Sequence, residues 1–343
     1  MTGLKNNTAN KKSRKRQDDP VTIVVFPFEN LVTEGKSDLF CASFCLDLIT
    51  ELSKFRQFQI ISLQSLNNVS TESESLHRLG ADYHILGSFK SDKTSIQVNA
   101  QLVDSHSLRM VWANRFKAPF EKMMEVQEDL LQEVLASLQE KLNYDLLSQF
   151  RRKERTQLNA YEYWLYGMAE MKKGSPENDA KAREYFQEAI HIDPEFSLAY
   201  TGMSLSYFND WSCQLWEKWE INQNGAFEWA EKAIELDEYN YIAAAVLARI
   251  FLYKDAFETA EHYARRSLHL NNNDPATLIQ NAVTLVYLGF AEEAGKWYDK
   301  AERINPANAM NYHHVGIFIL IMQERYKDAL NLQLKTPYSP WID

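Results

Sequence analysis

The chain contains no run of 18 or more apolar residues, so no helix able to span a membrane is expected. The longest apolar stretch, Val315 to Met322, is far too short. Cysteine is scarce: Cys41, Cys45 and Cys213 make an odd set, and no apolar segment suited to a secretory signal precedes them. Both facts point to reduced thiols and a cytoplasmic location. The 11 glycines are scattered. They form no G-x-x-x-x-G-K-[ST] phosphate loop, no G-x-G-x-x-G and no G-x-S-x-G nucleophile elbow. Cys41 and Cys45 lie one helical turn apart, which permits a two-thiolate clip, but no second pair follows at zinc spacing. Buried structural thiols are the plainer expectation. His313 and His314 point to different helix faces, and Glu292-Glu293 reads as a solvated helix face. No catalytic or metal residue is therefore assigned, no cofactor is expected, and the chain is expected not to be an enzyme.

Charge narrows the partners. The net charge is −10, and residues 1–20 are basic, with Lys5, Lys11, Lys12, Arg14, Lys15 and Arg16. The remainder is more acidic still, which disfavours nucleic acid phosphates as a partner of the folded part. The run Lys11 to Arg16 could meet DNA, a membrane surface or an import receptor. Its plain reading is a solvated, disordered tail over residues 1–20.

What the sequence does contain is a repeat. Ala182 to Pro194 recurs as Ala226 to Glu238, Ala260 to Asn272 and Ala294 to Pro306. The ends are 44, 34 and 34 residues apart, and 34 is the tetratricopeptide-repeat (TPR) period. Small residues recur at two positions of each second helix: Ala182, Ala226, Ala260 and Ala294, then Ala189, Ala233, Ser267 and Ala301. Such residues let antiparallel helices approach closely. Tyr200, Leu247, Phe251, Tyr298 and Tyr312 would fill the complementary gaps, and Pro194 and Pro306 would end helices. The 44-residue copy holds an insertion of about ten residues, with Trp211, Trp216 and Trp219. These tryptophans read either as a ligand cage or as packing for a longer hairpin, the latter preferred. A fifth repeat begins at Tyr312 to Ile321 and continues at Ala329, then meets Pro337 and Pro340. The TPR domain is placed at 156–343, about four and a half repeats, the last incomplete.

Upstream, residues 21–148 read as an α/β domain. Val21 to Pro27 is a continuous apolar run suited to a buried strand. Ser37 to Phe55 is an amphipathic helix. Phe58 to Leu63, Tyr83 to Phe89, Ser95 to Val103 and Arg109 to Phe116 read as strands, and Ser75 to Leu79 as a short helix. Hairpin turns are expected at Ser91–Thr94 and Ser105–Leu108. Phe120 to Leu147 forms a long helix, and Arg151 to Arg155 marks the domain boundary. The two domains are expected to have separate cores.

Several segments of this domain, taken together, resemble a known family. They are Val24-Val-Phe-Pro-Phe-Glu-Asn30, Asp47 to Leu52, Gly80 to Ser88, Gln97 to Asp104, Val111-Trp112 and Val126 to Leu130. The set resembles the TolB-amino-terminal-like (FlgO-like) domain. The resemblance implies a module fused to TPRs in the regulatory regions of class III adenylate cyclases and of winged-helix transcription regulators. Since it begins at residue 21 and the fifth repeat breaks off, a natural fragment, a split gene or a truncated reading frame is expected.

The leading expectation is a regulatory or scaffold protein that binds a protein or peptide in the concave TPR groove, in bacterial signalling or transcription control. The alternatives are a detached regulatory fragment of an adenylate cyclase and a DNA-binding regulator without its output domain. From the repeat phase, the groove is expected to be lined by Thr201, Leu205, Phe208, Arg249, Tyr253, Ile279, Val283, Val286, Tyr287, His313 and Ile317. Only Arg249 fits a carboxylate clamp. The α/β domain of the same chain could instead fill part of this groove. A homodimer through the carboxyl-terminal repeat is a further expectation, because Val315 to Met322 is apolar all round.

Overall fold

The structure is a computed structural model, and it describes residues 21–31, 36–55, 58–62, 80–91, 95–119, 123–150, 158–212, 218–305 and 309–336. The basic run 11–16, the expected helix at 75–79, the 151–155 boundary, Cys213, Trp216, Pro306, Pro337 and Pro340 lie outside these residues. No helix among the described residues is long and apolar enough to cross a membrane.

The chain opens with a mixed sheet. Its strands are β1 (Val21–Val25), β2 (Glu29–Asn30), β3 (Phe58–Ser62), β4 (Tyr83–Ser91), β5 (Ser95–Asp104) and β6 (Met110–Pro119), ordered β3-β1-β4-β5-β6 with β2 beside β4. Strand β1 pairs in parallel with both β3 and β4, while β4, β5 and β6 form an antiparallel meander. Every residue of β1 is buried, as a run apolar on both faces requires. In β5 only one face is fully buried, through Ile96, Val98, Ala100 and Leu102, so polar residues alternate with apolar ones. The expected turn after β5 is present, with Leu108 in the left-handed region at φ 56°.

Among the described residues two helices cover the sheet, α1 (Lys36–Leu52) and α2 (Met123–Phe150). Helix α1 buries Cys41, Phe44, Cys45, Leu48 and Leu52 at helical spacing. Neither thiol is in a disulfide, and they donate to backbone carbonyls of Phe28 (3.1 Å) and Phe26 (3.7 Å). They therefore anchor α1 to the chain leaving β1. Helix α2 buries Leu131, Val134, Leu135, Leu138, Leu142 and Leu146.

The rest is an all-α TPR superhelix of five antiparallel hairpins among the described residues. They are α3 (Ala160–Met171) with α4 (Pro176–Ile192), α5 (Ser197–Ser212) with α6 (Trp219–Leu236), α7 (Tyr241–Tyr253) with α8 (Phe257–Leu270), α9 (Pro275–Tyr287) with α10 (Ala291–Ile304), and α11 (Ala309–Met322) with α12 (Tyr326–Lys335). All eight small repeat positions, from Ala182 to Ala301, are fully buried. Polar groups cross the same contacts. The Ser197 and Ser267 hydroxyls donate to the carbonyls of Ala233 and Tyr241 at 2.9 and 2.8 Å. Asn240 and Asp274 cap α7 and α9 by accepting from the amides of Ala243 and Thr277.

Hairpin turns close on left-handed residues: Gly174, Asp255, Gly289 and Glu324. At the last three, the next amide donates back to the carbonyl five residues earlier, as in Ala256 to Phe251. Only glycine holds this conformation without a Cβ penalty. Glu324→Gly is expected to raise stability by about 1 kcal/mol, read as an increased urea midpoint; an unchanged or lowered midpoint would show that the glutamate side chain offsets its strain.

The expectation of separate cores is overturned. One apolar cluster runs from Val21, Phe44 and Leu102 through Leu138 and Leu142 of α2 into Tyr161, Trp164, Phe186 and Met203. Helix α2 presents leucines to the sheet and to the first hairpin at once, so the apolar packing is continuous between the halves among the described residues. The tryptophan insertion lengthens its hairpin: α5 and α6 have 16 and 18 residues against 13 and 14 in α7 and α8. Trp211 is buried against Phe208, Trp219 and Tyr253, which corrects the ligand-cage alternative for this residue.

Candidate functional site: the turn edge of the repeats

The first helices of successive repeats stack side by side, α5 on α7, α7 on α9 and α9 on α11. Residues 34 apart therefore form rows. The structure divides the expected groove residues according to these rows. Thr201, Leu205, Phe208, Ile279, Val286 and His313 are buried and cannot line an open groove. The physical reason is close stacking, since a side chain aimed along the row meets the next first helix before it meets solvent. Thr201 accepts from Asn240 at 2.9 Å and donates to the Ser197 carbonyl. His313 bonds Thr336 through Nδ1 at 3.0 Å and faces Glu302 through Nε2 at 3.6 Å, tying α11 to α12 and α10. Arg249, Val283 and Ile317 are half-buried, and the Arg249 guanidinium lies 4.5 Å above the Phe208 ring.

Two of the expected residues are truly open, Tyr253 and Tyr287, at 42% and 60% exposure. Both end a first helix, next to the hairpin turn. Ile321 continues the row at 43%. It lies 34 residues beyond Tyr287, so the repeat period alone could have found it. The rungs are backed by neighbouring rings. Tyr253 packs on Phe208 and Trp211, with centroids 5.4 and 5.3 Å apart, and Tyr287 packs on Phe318 at 4.9 Å. Phe257, Phe290 and Tyr326, at the starts of the paired helices, add exposed apolar surface at the same turns.

The opposite edge, made of the loops between repeats, is covered by the α/β domain. There Asn273 donates to the Glu51 carboxylate of α1, and Ala136 of α2 packs against the cluster around Leu278 and Val286. Tyr241, Asn271, Asn273 and Asp274 are buried at these loops. Burial raises the Asp274 carboxyl above the usual range, and its bonds from Thr277 and Tyr241 oppose the rise. The same chain thus occupies one side of the superhelix and leaves the turn edge open.

A polar cluster lies between the first two hairpins. Burial, reinforced by nearby Asp210, raises the Asp179 carboxyl to about 6, while Asn209 and Arg183 oppose the rise. Arg183 pairs with Asp210 at 2.9 Å. An acid whose folded pKa exceeds its unfolded one contributes stability at low pH and loses it as pH rises toward 6. Asp179→Asn should therefore raise Tm relative to the parent chain increasingly between pH 4 and 7. A gain that stays constant across that range would rule out titration of Asp179.

No protein-family model matches the chain. A Rhizobium meliloti (strain 1021) protein provisionally named adenylate cyclase 3 is 24% identical over 247 residues, covering 70% of this chain and 42% of that protein. The chain thus spans less than half the length of this relative. Among solved structures, a thermophilic TPR protein of Thermus thermophilus aligns with TM-score 0.41 and 18% identity, covering 59% of this chain and 98% of that one. TolB from Acinetobacter baumannii aligns with TM-score 0.28 and 16% identity, covering 36% of this chain and 29% of that one.

Proposed function

We propose that the chain is a non-catalytic regulatory module that binds a protein or peptide along the turn edge of its repeats. The observation that carries this is the row Tyr253, Tyr287 and Ile321: three exposed apolar side chains in repeat register, two of them held by neighbouring rings. Contiguous apolar surface of this kind marks interaction sites, and preorganised tyrosines are favoured anchors because little side-chain entropy is lost on binding. Arg249, Val283 and Ile317 flank the row from the groove side. Placing a photo-crosslinking amino acid at Tyr287, and separately at Glu228 on the exposed face of α6, tests this in the source cell. A discrete adduct at Tyr287 and none at Glu228 is expected. Equal labelling at both positions would remove the site.

The TolB-amino-terminal-like assignment of residues 21–148 belongs to the same proposal. It is supported by the place of its quoted residues, since Val24 to Asn30 builds β1 and β2 and Gly80 to Ser88 leads into β4. A cytoplasmic location is supported by the reduced thiols of Cys41 and Cys45. Exposed Met322, Tyr326, Leu330 and Leu334 on the last hairpin support self-association there.

The similarity to the Rhizobium meliloti protein favours a second reading, in which the chain acts as the regulatory region of an adenylate cyclase. Under both readings the purified chain makes no cyclic AMP from ATP. Metal-dependent turnover abolished by one carboxylate substitution would overturn the non-catalytic assignment. The reading as a DNA-binding regulator without its output domain has no comparable support, because residues 158–240 carry 16 acidic and 6 basic side chains.

A further inference from the structure

The turn edge is charged as well as apolar. Asp255 and Glu258 follow Tyr253, and Glu324 follows Ile321; all three are exposed and make no ion pair among the described residues. Two of them stand at left-handed positions where the middle hairpin has Gly289. The basic groups at these turns are mostly engaged. Arg325 pairs with Asp328 at 2.8 Å, and the Lys254 ammonium lies 4.4 Å over the Phe227 ring. Glu292 and Lys296 both line the neighbouring cleft between α10 and α12, one of each sign. Lys254 keeps its charge in its contact with Phe227. Lys254 and Lys327 thus stand against Asp255, Glu258 and Glu324, and the rim of the apolar row carries a small net negative charge.

The spacing of the row selects the shape of a partner. Neighbouring packed helices lie about 8–10 Å apart, so the rungs Tyr253, Tyr287 and Ile321 repeat at about that distance. Seven residues of an α-helix rise about 10.5 Å. A helix lying along the edge would bring apolar residues at i, i+7 and i+14 onto successive rungs. We propose that the turn edge binds a basic amphipathic helix of another protein, with apolar residues at seven-residue spacing on the row and Lys or Arg against Asp255, Glu258 and Glu324. This rests on the reading of the edge as a protein-binding surface.

The test uses the full chain and a labelled helical peptide of about 21 residues, with leucine at every seventh position and flanking lysines and arginines. A second peptide replaces the basic residues by glutamine. Fluorescence anisotropy reads affinity at low and high salt. The basic peptide should bind, and more weakly as salt rises. Combined Tyr253→Ala and Tyr287→Ala should reduce its affinity at least about tenfold. Combined Asp255→Asn, Glu258→Gln and Glu324→Gln should reduce it by a similar factor, flatten its salt dependence and leave the neutral peptide unaffected. All these positions are exposed, and a thermal melt confirms that each variant is folded. If the neutral peptide binds as tightly as the basic one, or the charge variant changes nothing, the basic partner is overturned while the edge remains a binding surface. Absence of binding, or binding indifferent to the two tyrosines, overturns the helix site itself. The crosslink at Tyr287 reports independently on the underlying interaction.

Discussion

Phe186→Ala is expected to destabilise the chain by about 3–5 kcal/mol and to do so on both sides of the α/β–TPR junction. Phe186 is fully buried, and its ring fills the space above two glycines, one on each neighbouring first helix. A Cβ added at Gly202 would stand 2.6 Å from that ring, and one at Gly167 would also overlap it. The three helices are therefore fitted around this side chain, and a cavity there cannot close by small adjustments. Its cluster continues into α2 and the sheet. Hydrogen exchange resolved by segment should show lost protection in β5 and α2 as well as in α3 to α5. If the loss stops at α3, the continuous cluster does not couple the two halves.

The second large effect belongs to Asp145→Ala. This carboxylate is buried on α2, where it accepts from the Tyr83 hydroxyl at 3.0 Å and from Arg109 at 2.5 Å. Strand β4 and the turn leading into β6 are thus tied to α2 by one side chain. Burial raises the Tyr83 phenol well above its ordinary range, and neighbouring Asp145 adds to the rise. Arg109 is half exposed and can return to water when Asp145 is removed. The Tyr83 hydroxyl is buried and loses its bond to Asp145, and the loss of a buried partner costs about 1–3 kcal/mol. Urea denaturation should show a loss of that size. Adding Tyr83→Phe should recover much of it, because removing both partners of a buried bond is nearly neutral. A double variant as unstable as the sum of the singles would mean that the bond contributes nothing.

Much of this fold was legible in the residues. The apolar run Val21 to Val25 became the central parallel strand, and the alternation in Ile96 to Leu102 became the half-covered one. The recurring small-residue pattern placed the second helices of the first four hairpins, because an alanine at a helix contact has few tolerated replacements. The groove was legible only as a direction. Counting from the repeat assigned Thr201, Leu205, Phe208, Ile279 and Val286 to an open groove, but could not tell that these side chains would be buried. The same period points to Ile321 as the next rung after Tyr253 and Tyr287. The rung was missed because Val315 to Met322 is apolar throughout, and a segment without a polar face gives no clue to which side meets solvent.

The sequence by itself determined the elements, their order and the small-residue contacts, because these depend on local periodicity and on steric limits at single positions. Only the tertiary structure decided what stays open. Burial depends on how closely helices 34 or more residues apart stack, and on where α2 and Glu51 of the α/β domain come to rest. Those placements cover the loop edge of the superhelix and leave Tyr253, Tyr287 and Ile321 facing solvent.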